Sequence, residues 1–379
     1  MLNNKRIHAL DALRGIMMLL GVVLHTAITF SSSHYPGWPI HSETNHIFFD
    51  WLFGVIHIFR MPIFFIVSGF FAAFLFYNKS PKIMIRNRLK RIFLPFIIFV
   101  FILTPIARLC IKFSTNALRL DESNALAFNV WEHINLFTFI PFNTMHLWFL
   151  YYLMLFSIVP ILINAIILKS KKMDFLKQYS NRTYDYVLSN SILKISILPV
   201  ITSVILYVSN SIWIDASISF IPSIKTFMFY FLFYIFGWFL FKSNNLMEYF
   251  KEGSLFYTIF GVIVFTLSFL FFEILENYML IILNAFSTWL FIYGLVGLFL
   301  KYLNFHNNSM KYLLDASYWI YLIHLPLTIL LPGLINHFTV PISLKFIIII
   351  TIVFFISIAS YHLFVRKTII GVLLNGRKY

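Results

Sequence analysis

Residues 8–30 read HALDALRGIMMLLGVVLHTAITF, an apolar run that carries Asp11, Arg14 and His25 within it. A spanning helix needs about 20 largely apolar residues, because lipid offers backbone groups no hydrogen-bonding partner. This run meets that length. An advance of eleven residues turns a helix through about 1,100°, so Arg14 and His25 fall within roughly 20° of one face, about 16.5 Å apart along the axis. Asp11 stands three residues before Arg14 and can pair with it. Ionisable groups inside a span are unfavourable and mark functional sites by default. A structural Asp–Arg pair with a buried, hydrogen-bonded His is the competing reading, and periodicity alone does not separate the two. No cleavage pattern precedes the run, so it reads as a retained span.

The rest of the chain repeats the pattern. Of 379 residues, 60% are hydrophobic and 11% charged, against about a quarter charged in a soluble domain. The sequence predicts an all-α, polytopic integral membrane protein with about ten transmembrane helices. The runs are residues 8–30, 48–77, 92–111, 147–168, 192–208, 220–241, 255–272, 278–300, 317–335 and 341–364. With both termini cytoplasmic, the inside segments and their borders hold 22 Lys and Arg and the outside ones five, as the positive-inside rule requires. The net charge of +15 is therefore topological, and no nucleic-acid motif or P-loop accompanies it. The longest loops cover residues 112–146 outside and 169–193 inside. Nothing divides the chain, so residues 1–379 read as one transmembrane domain. No internal repeat of the kind found in many transporters is evident. Cys110 is the single cysteine, which excludes an internal disulfide and a Cys-rich metal site.

Several further segments give the chain a family likeness. Asp11-Ala12-Leu13-Arg14-Gly15, with ten residues between Arg14 and His25, resembles the acyltransferase-3 family of membrane acyltransferases. Phe64-Phe65-Ile66-Val67-Ser68-Gly69-Phe70 is similar to the family's second-helix motif, and Arg88-Leu89-Lys90-Arg91 to its Arg-x-x-Arg pattern. His146-Leu147-Trp148-Phe149-Leu150 and residues 317–326, with Tyr318, Tyr321, His324 and Pro326, resemble its later signatures. Ile56-His57-Ile58-Phe59-Arg60-Met61-Pro62 leans to the branch that contains a periplasmic-glucan succinyltransferase. The chain departs from many relatives after Trp148-Phe149-Leu150, where Tyr151 to Met154 include no acidic residue.

The resemblance implies an O-acyltransferase of the bacterial inner membrane. It would move an acetyl or succinyl group from cytoplasmic acetyl-CoA or succinyl-CoA to an extracytoplasmic carbohydrate hydroxyl. Neither a permanently bound cofactor nor a metal is expected. Arg86, Arg88 and Arg91 lie in a basic loop with Lys79, Lys82 and Lys90 and suit the phosphates of coenzyme A. The same loop also serves topology. His25 is the candidate general base, or the carrier of the acyl group itself. Arg14 lies nearer the nucleotide end of the donor. His57 and Arg60 share a face of the second span and are candidates to orient His25 or polarise the thioester, or else to bond between helices. Asp50, Trp148, Tyr321 and His324 are candidate acceptor contacts, with packing or a proline-freed carbonyl as their structural alternatives. The outer loop around His34, Trp38, His41, Glu43, His46 and Trp51 suits sugar better than metal, and Glu273 and Glu276 lie on a short outer turn. Membrane lipid, a separate periplasmic partner or a second copy complete the expected partners. The competing classes are a glycan, lipid or small-molecule transporter or flippase, and a structural subunit of a polysaccharide assembly. Neither needs a nucleotide-phosphate site beside an Arg-x10-His helix.

Overall fold

Polar residues at the ends of the apolar runs decide where helices begin. In the computed structural model, which describes residues 8–40, 45–119, 129–167, 184–187, 189–242, 246–305 and 307–376, side chains cap the first turns. Ser80 accepts from the Ile83 amide, Asn190 from Ile192 and Leu193, and Asn307 from Ser309. Each satisfies backbone donors that the first helical turn leaves open. His41, Glu43 and most of the 169–193 loop lie outside the described residues.

The helices are α1 (His8–Thr29), α2 (Ile47–Asn78), α3 (Pro81–Arg88), α4 (Leu94–Arg119), α5 (Trp148–Ile167), α6 (Ser191–Val208), α7 (Ile224–Lys242), α8 (Ser254–Leu270), α9 (Asn277–Tyr302), α10 (Asn308–Leu334), α11 (Ile342–Ser360) and α12 (Ile369–Asn375). No strand occurs among the described residues. Among the described residues, eight helical stretches are long and apolar enough to cross a membrane. The shorter apolar helices α6 and α8 coincide with the two remaining expected runs. Some boundaries moved: α4 runs on to Arg119, eight residues past the apolar run that ends at 111, and α10 starts at Asn308, nine residues before the run at 317. The Asn307 cap nucleates a polar turn that hydropathy does not register.

Helix α1 lies between α2 and α10 and also touches α9 and α11. Helix α2 packs on α7, α9 joins α6 and α8, and α4 flanks α10. The α2–α7 seam is close because glycines meet backbone. A Cβ at Gly69 would lie 2.0 Å from the Tyr234 carbonyl oxygen, and one at Gly237 1.9 Å from that of Ile66. Membrane helices approach this way because lipid supplies no hydrophobic drive between them. Phe65, Phe156, Tyr230, Phe233 and Trp289 fill the core beside it.

Between α3 and α4 the chain widens into a π-turn, Leu89–Phe93. Such an insertion shifts side chains around the axis. At the other end, Met145 adopts φ +45° at the start of the short 3-10 turn before α5. A left-handed non-glycine backbone is unfavourable by about 1–3 kcal/mol and persists only when neighbours hold it. Thr144 supplies the hold: its amide and hydroxyl both donate to the Ile218 carbonyl, at 2.7 and 2.9 Å.

Candidate active site

Two features lie at opposite ends of α1. Around Arg14 is a cavity of about 540 Å³ lined by Asp11, Arg14, Ser68, Arg88, Arg91 and Tyr318, among others. Its wall includes Leu374 to Gly376 of the C-terminal segment, so both described chain ends sit at this end. The Arg14 guanidinium lies 3.8 Å from the Asp11 carboxylate and 5.8 Å from the centre of the Phe71 ring. Arg88 donates to the Ser68 carbonyl at 3.2 Å while its Nε is buried without a partner. Arg91 donates to the Asn375 carbonyl at 2.9 Å. Arg88 and Arg91, three residues apart, line one cavity. Arg86 lines a neighbouring groove with Lys90, Ile83 and Ile369, and Arg91 borders that groove as well.

One turn above the cavity's upper wall begins a cluster of histidines. The His25 and His324 ring centres are 5.2 Å apart, and those of His146 and His324 5.3 Å. Hydrogen bonds fix two of the tautomers. His146 Nε2 donates to the Leu322 carbonyl at 3.0 Å, which can only accept, so its Nδ1 carries a lone pair. That carbonyl is available because Pro326 has no N–H to occupy it. His324 Nδ1 donates to the Tyr321 carbonyl at 2.6 Å, leaving Nε2 as its lone pair. His146 Nδ1, His324 Nε2 and His25 Nδ1 are all buried with no hydrogen-bond partner. Buried polar groups are normally bonded, so three bare imidazole nitrogens in one cluster indicate a place for something polar to bind or react.

Arg60 adds a cation. Its Nε donates to the Met17 carbonyl of α1 at 2.8 Å. Gly21 makes room for the rest: a Cβ there would lie 2.5 Å from Arg60 Nη2 and 3.2 Å from His324 Nε2. Tyr321 closes the group by donating to the His146 carbonyl at 2.7 Å. His25, half-buried, is covered by Trp38, whose ring stacks at 5.5 Å and 17°. Trp38 sits on the turn Tyr35-Pro36-Gly37-Trp38, closed by a 3.0 Å bond from its amide to Tyr35. Pro at the second position and Gly37 at φ +77° give that turn the type II pattern. The indole N–H donates to Thr29 at 3.0 Å.

The structure thus brings His25, Arg60, Tyr321 and His324 together, and separately Arg14, Arg88 and Arg91. The other candidates lie elsewhere. His57 Nε2 contacts the Ile214 carbonyl at 3.2 Å, and its ring stacks on Phe53. The Asp50 carboxylate binds the Ser31 hydroxyl and the amides of Ser32 and Ser33 at 2.8 and 2.9 Å, closing the turn after α1. Trp148 is buried among Phe65, Tyr152 and Tyr230. Among the described residues no group of His, Cys, Asp and Glu is arranged to hold a metal. His146 was missed as a candidate; its one sequence signal is its place at the head of the Trp148-Phe149-Leu150 motif. Gly21 had none.

Chemically, the arrangement offers a guanidinium-lined cavity for an anionic ligand at one end, and at the other neutral imidazoles beside a cation that can take a proton and stabilise developing negative charge. Comparison with known proteins bears on that pairing. A family model described as an acyltransferase domain matches residues 7–362. Glucans biosynthesis protein C of Escherichia coli K12 is 26% identical over 396 residues, covering 98% of this chain and 95% of the relative. The same protein from Escherichia coli O157:H7 gives the same identity and coverage. No solved structure matches.

Proposed function

The chain belongs to the acyltransferase-3 family and is a multi-pass membrane acyltransferase, and from that premise we propose that it transfers an acetyl or succinyl group from acyl-CoA on the cytoplasmic side to a carbohydrate hydroxyl on the other. The setting is a bacterial inner membrane with both termini cytoplasmic. The observation that carries this reading is the placement of a guanidinium-lined cavity and a histidine cluster along one face of α1. Arg14, Arg88 and Arg91 are the donor's phosphate ligands, with the unpartnered Arg88 Nε open to an acceptor oxygen. The pantetheine arm runs from Arg14 toward His25, the roughly 16.5 Å that eleven helical residues span. The carbohydrate side draws on the printed name of the relatives, which concerns glucans.

In this reading His25 removes the proton from the attacking hydroxyl. The hydroxyl oxygen bonds to the thioester carbon, and the charge formed on the carbonyl oxygen is met by Arg60. Collapse of that intermediate breaks the carbon–sulfur bond, and the imidazolium returns its proton to the departing thiolate. His324 and Tyr321 hold the cluster's geometry, and a separate periplasmic protein or a second copy can present the acceptor.

The test uses purified protein in nanodiscs with labelled acetyl-CoA or succinyl-CoA and an oligosaccharide acceptor. His25→Ala should lower transfer by at least about 100-fold with donor binding unchanged. Retained transfer in that variant overturns the assignment.

A further inference from the structure

Beyond Trp38 the outer end carries a second set of rings on a segment that neither motif nor charge singles out. Residues 211–215 run between α6 and α7, and buried side chains pin them through their backbone carbonyls. The Ile214 carbonyl accepts from Tyr230 at 3.1 Å and faces His57 Nε2 at 3.2 Å. The Ile212 carbonyl accepts from Asn284 at 3.2 Å, and Asn284 accepts from Ser268 at 2.9 Å. Trp213 stands between these two fixed carbonyls and is half-exposed, with its ring 5.8 Å from that of His57. His57 stacks on Phe53 at 5.4 Å, and Phe53 meets Tyr35 at 5.0 Å. Tyr35 and Trp38 come from the same type II turn, so contacts run from Trp213 back to the cover over His25. Asp215 is exposed at the far end. Its carboxylate is close enough to act on Tyr35, whose hydroxyl is pushed up to about 12 by burial and by Asp50 and Asp215, against a hydrogen bond with Ser31. Among the described residues no Lys or Arg forms an ion pair with Asp215.

A half-exposed indole on a pinned backbone, a second half-exposed ring and an exposed carboxylate suit one ligand chemistry. The apolar C–H face of a pyranose packs on an aromatic ring, and its hydroxyls donate to a carboxylate. The exposed Asp215 carboxylate repels an acidic sugar, which favours a neutral one. We propose that Trp213, Asp215 and Tyr35 form a subsite for a neutral hexose unit of the acceptor, adjoining the unit that reaches His25. The proposal rests on the carbohydrate reading above and adds where the chain is held and what its charge must be.

Transfer to a neutral glucose oligosaccharide and to a uronate-containing one would be measured, together with donor binding, for Trp213→Ala, Trp213→Phe and Asp215→Asn. The Ala and Asn variants should raise the KM for the neutral acceptor at least about tenfold, the scale of one charged hydrogen bond or stacked face. Donor binding should not change, and kcat should stay within twofold. Trp213→Phe, which keeps an aromatic face and guards against a folding artefact, should recover most of the loss. An acceptor KM within twofold of wild type in the two disruptive variants overturns the subsite. Preference of the wild type for the uronate acceptor overturns its charge assignment. Wild-type protein that binds donor and acylates a non-sugar hydroxyl but no oligosaccharide overturns the carbohydrate reading and the subsite with it. Failure of donor binding instead strikes at the acyl-CoA assignment.

Discussion

At the scale of single residues, the cluster is organised by what glycine and proline leave out. Gly21 has no side chain, and Arg60 and His324 occupy the space. A methyl group there must push the guanidinium aside, since 2.5 Å is inside van der Waals contact. Gly21→Ala is therefore expected to fold and bind donor while kcat falls by roughly 10- to 100-fold, the usual scale of an ångström's misplacement. Unchanged kcat would remove Arg60 from the reacting centre. Pro326 leaves the Leu322 carbonyl free, and His146 takes it. Gln also offers an N–H, so His146→Gln should retain several times more activity than His146→Ala if the bond is what positions the cluster. Equal losses would assign His146 a direct role through Nδ1. These residues also mark how far the sequence could be read. Arg14 and His25 stood out because charge in an apolar run is unfavourable in lipid. His146 did not, because its partner is 176 residues away and depends on a proline in another helix. Asp50 drew notice as a carboxylate facing outward, yet its oxygens close the Ser31–Ser33 turn, a bond pattern that needs the backbone path to be seen.

At the scale of elements, hydropathy identified the apolar runs, and the structure makes helices of them. It gave no sign of the π-turn at Leu89–Phe93 or the strained turn at Met145, because both are backbone departures inside otherwise ordinary sequence. Ordinary helical rotation parts the neighbouring arginines of α3: two residues turn about 200°, so Arg88 lines the cavity and Arg86 the outer groove, while Arg91 lies between the two and lines both. Met145 also packs its side chain against the core, so the strain is read from two truncations that lose it equally: Met145→Gly, free of left-handed strain, is expected to be more stable than Met145→Ala by about 1 kcal/mol. The loosened turn should then lower kcat through His146. A Met145→Gly midpoint no higher than that of Met145→Ala would show that the turn is not strained. The α2–α7 seam tolerates less. Gly237→Leu drives a side chain into the Ile66 carbonyl and should cost more than about 3 kcal/mol, seen as failure to recover monodisperse protein from detergent. Normal recovery would mean that the two helices can separate without loss.

At the scale of the whole molecule, the guanidinium-lined cavity lies at one end of α1 and the histidine cluster at the other. Removing Arg88 and Arg91 together should weaken acyl-CoA binding at least about tenfold, since a hydrogen bond to a charged group is worth about 1.5–3 kcal/mol. The loss should shrink at high salt. Equal binding by the double variant would place the donor elsewhere. The opposite end is closed by Trp38 over His25, and that closure bears on bioenergetics. A catalyst that joins two compartments through titratable imidazoles is also a potential wire for protons, and the cell's proton-motive force would drain through an open one. If the proposed function holds, the indole, fixed by its bond to Thr29, should act as electrical insulation as much as a wall for substrate. In proteoliposomes holding a pH gradient, Trp38→Ala should dissipate that gradient faster than wild type, and His25→Ala in the same background should restore tightness. A Trp38→Ala protein as impermeable as the wild type would show that the insulation resides deeper, among the histidines themselves.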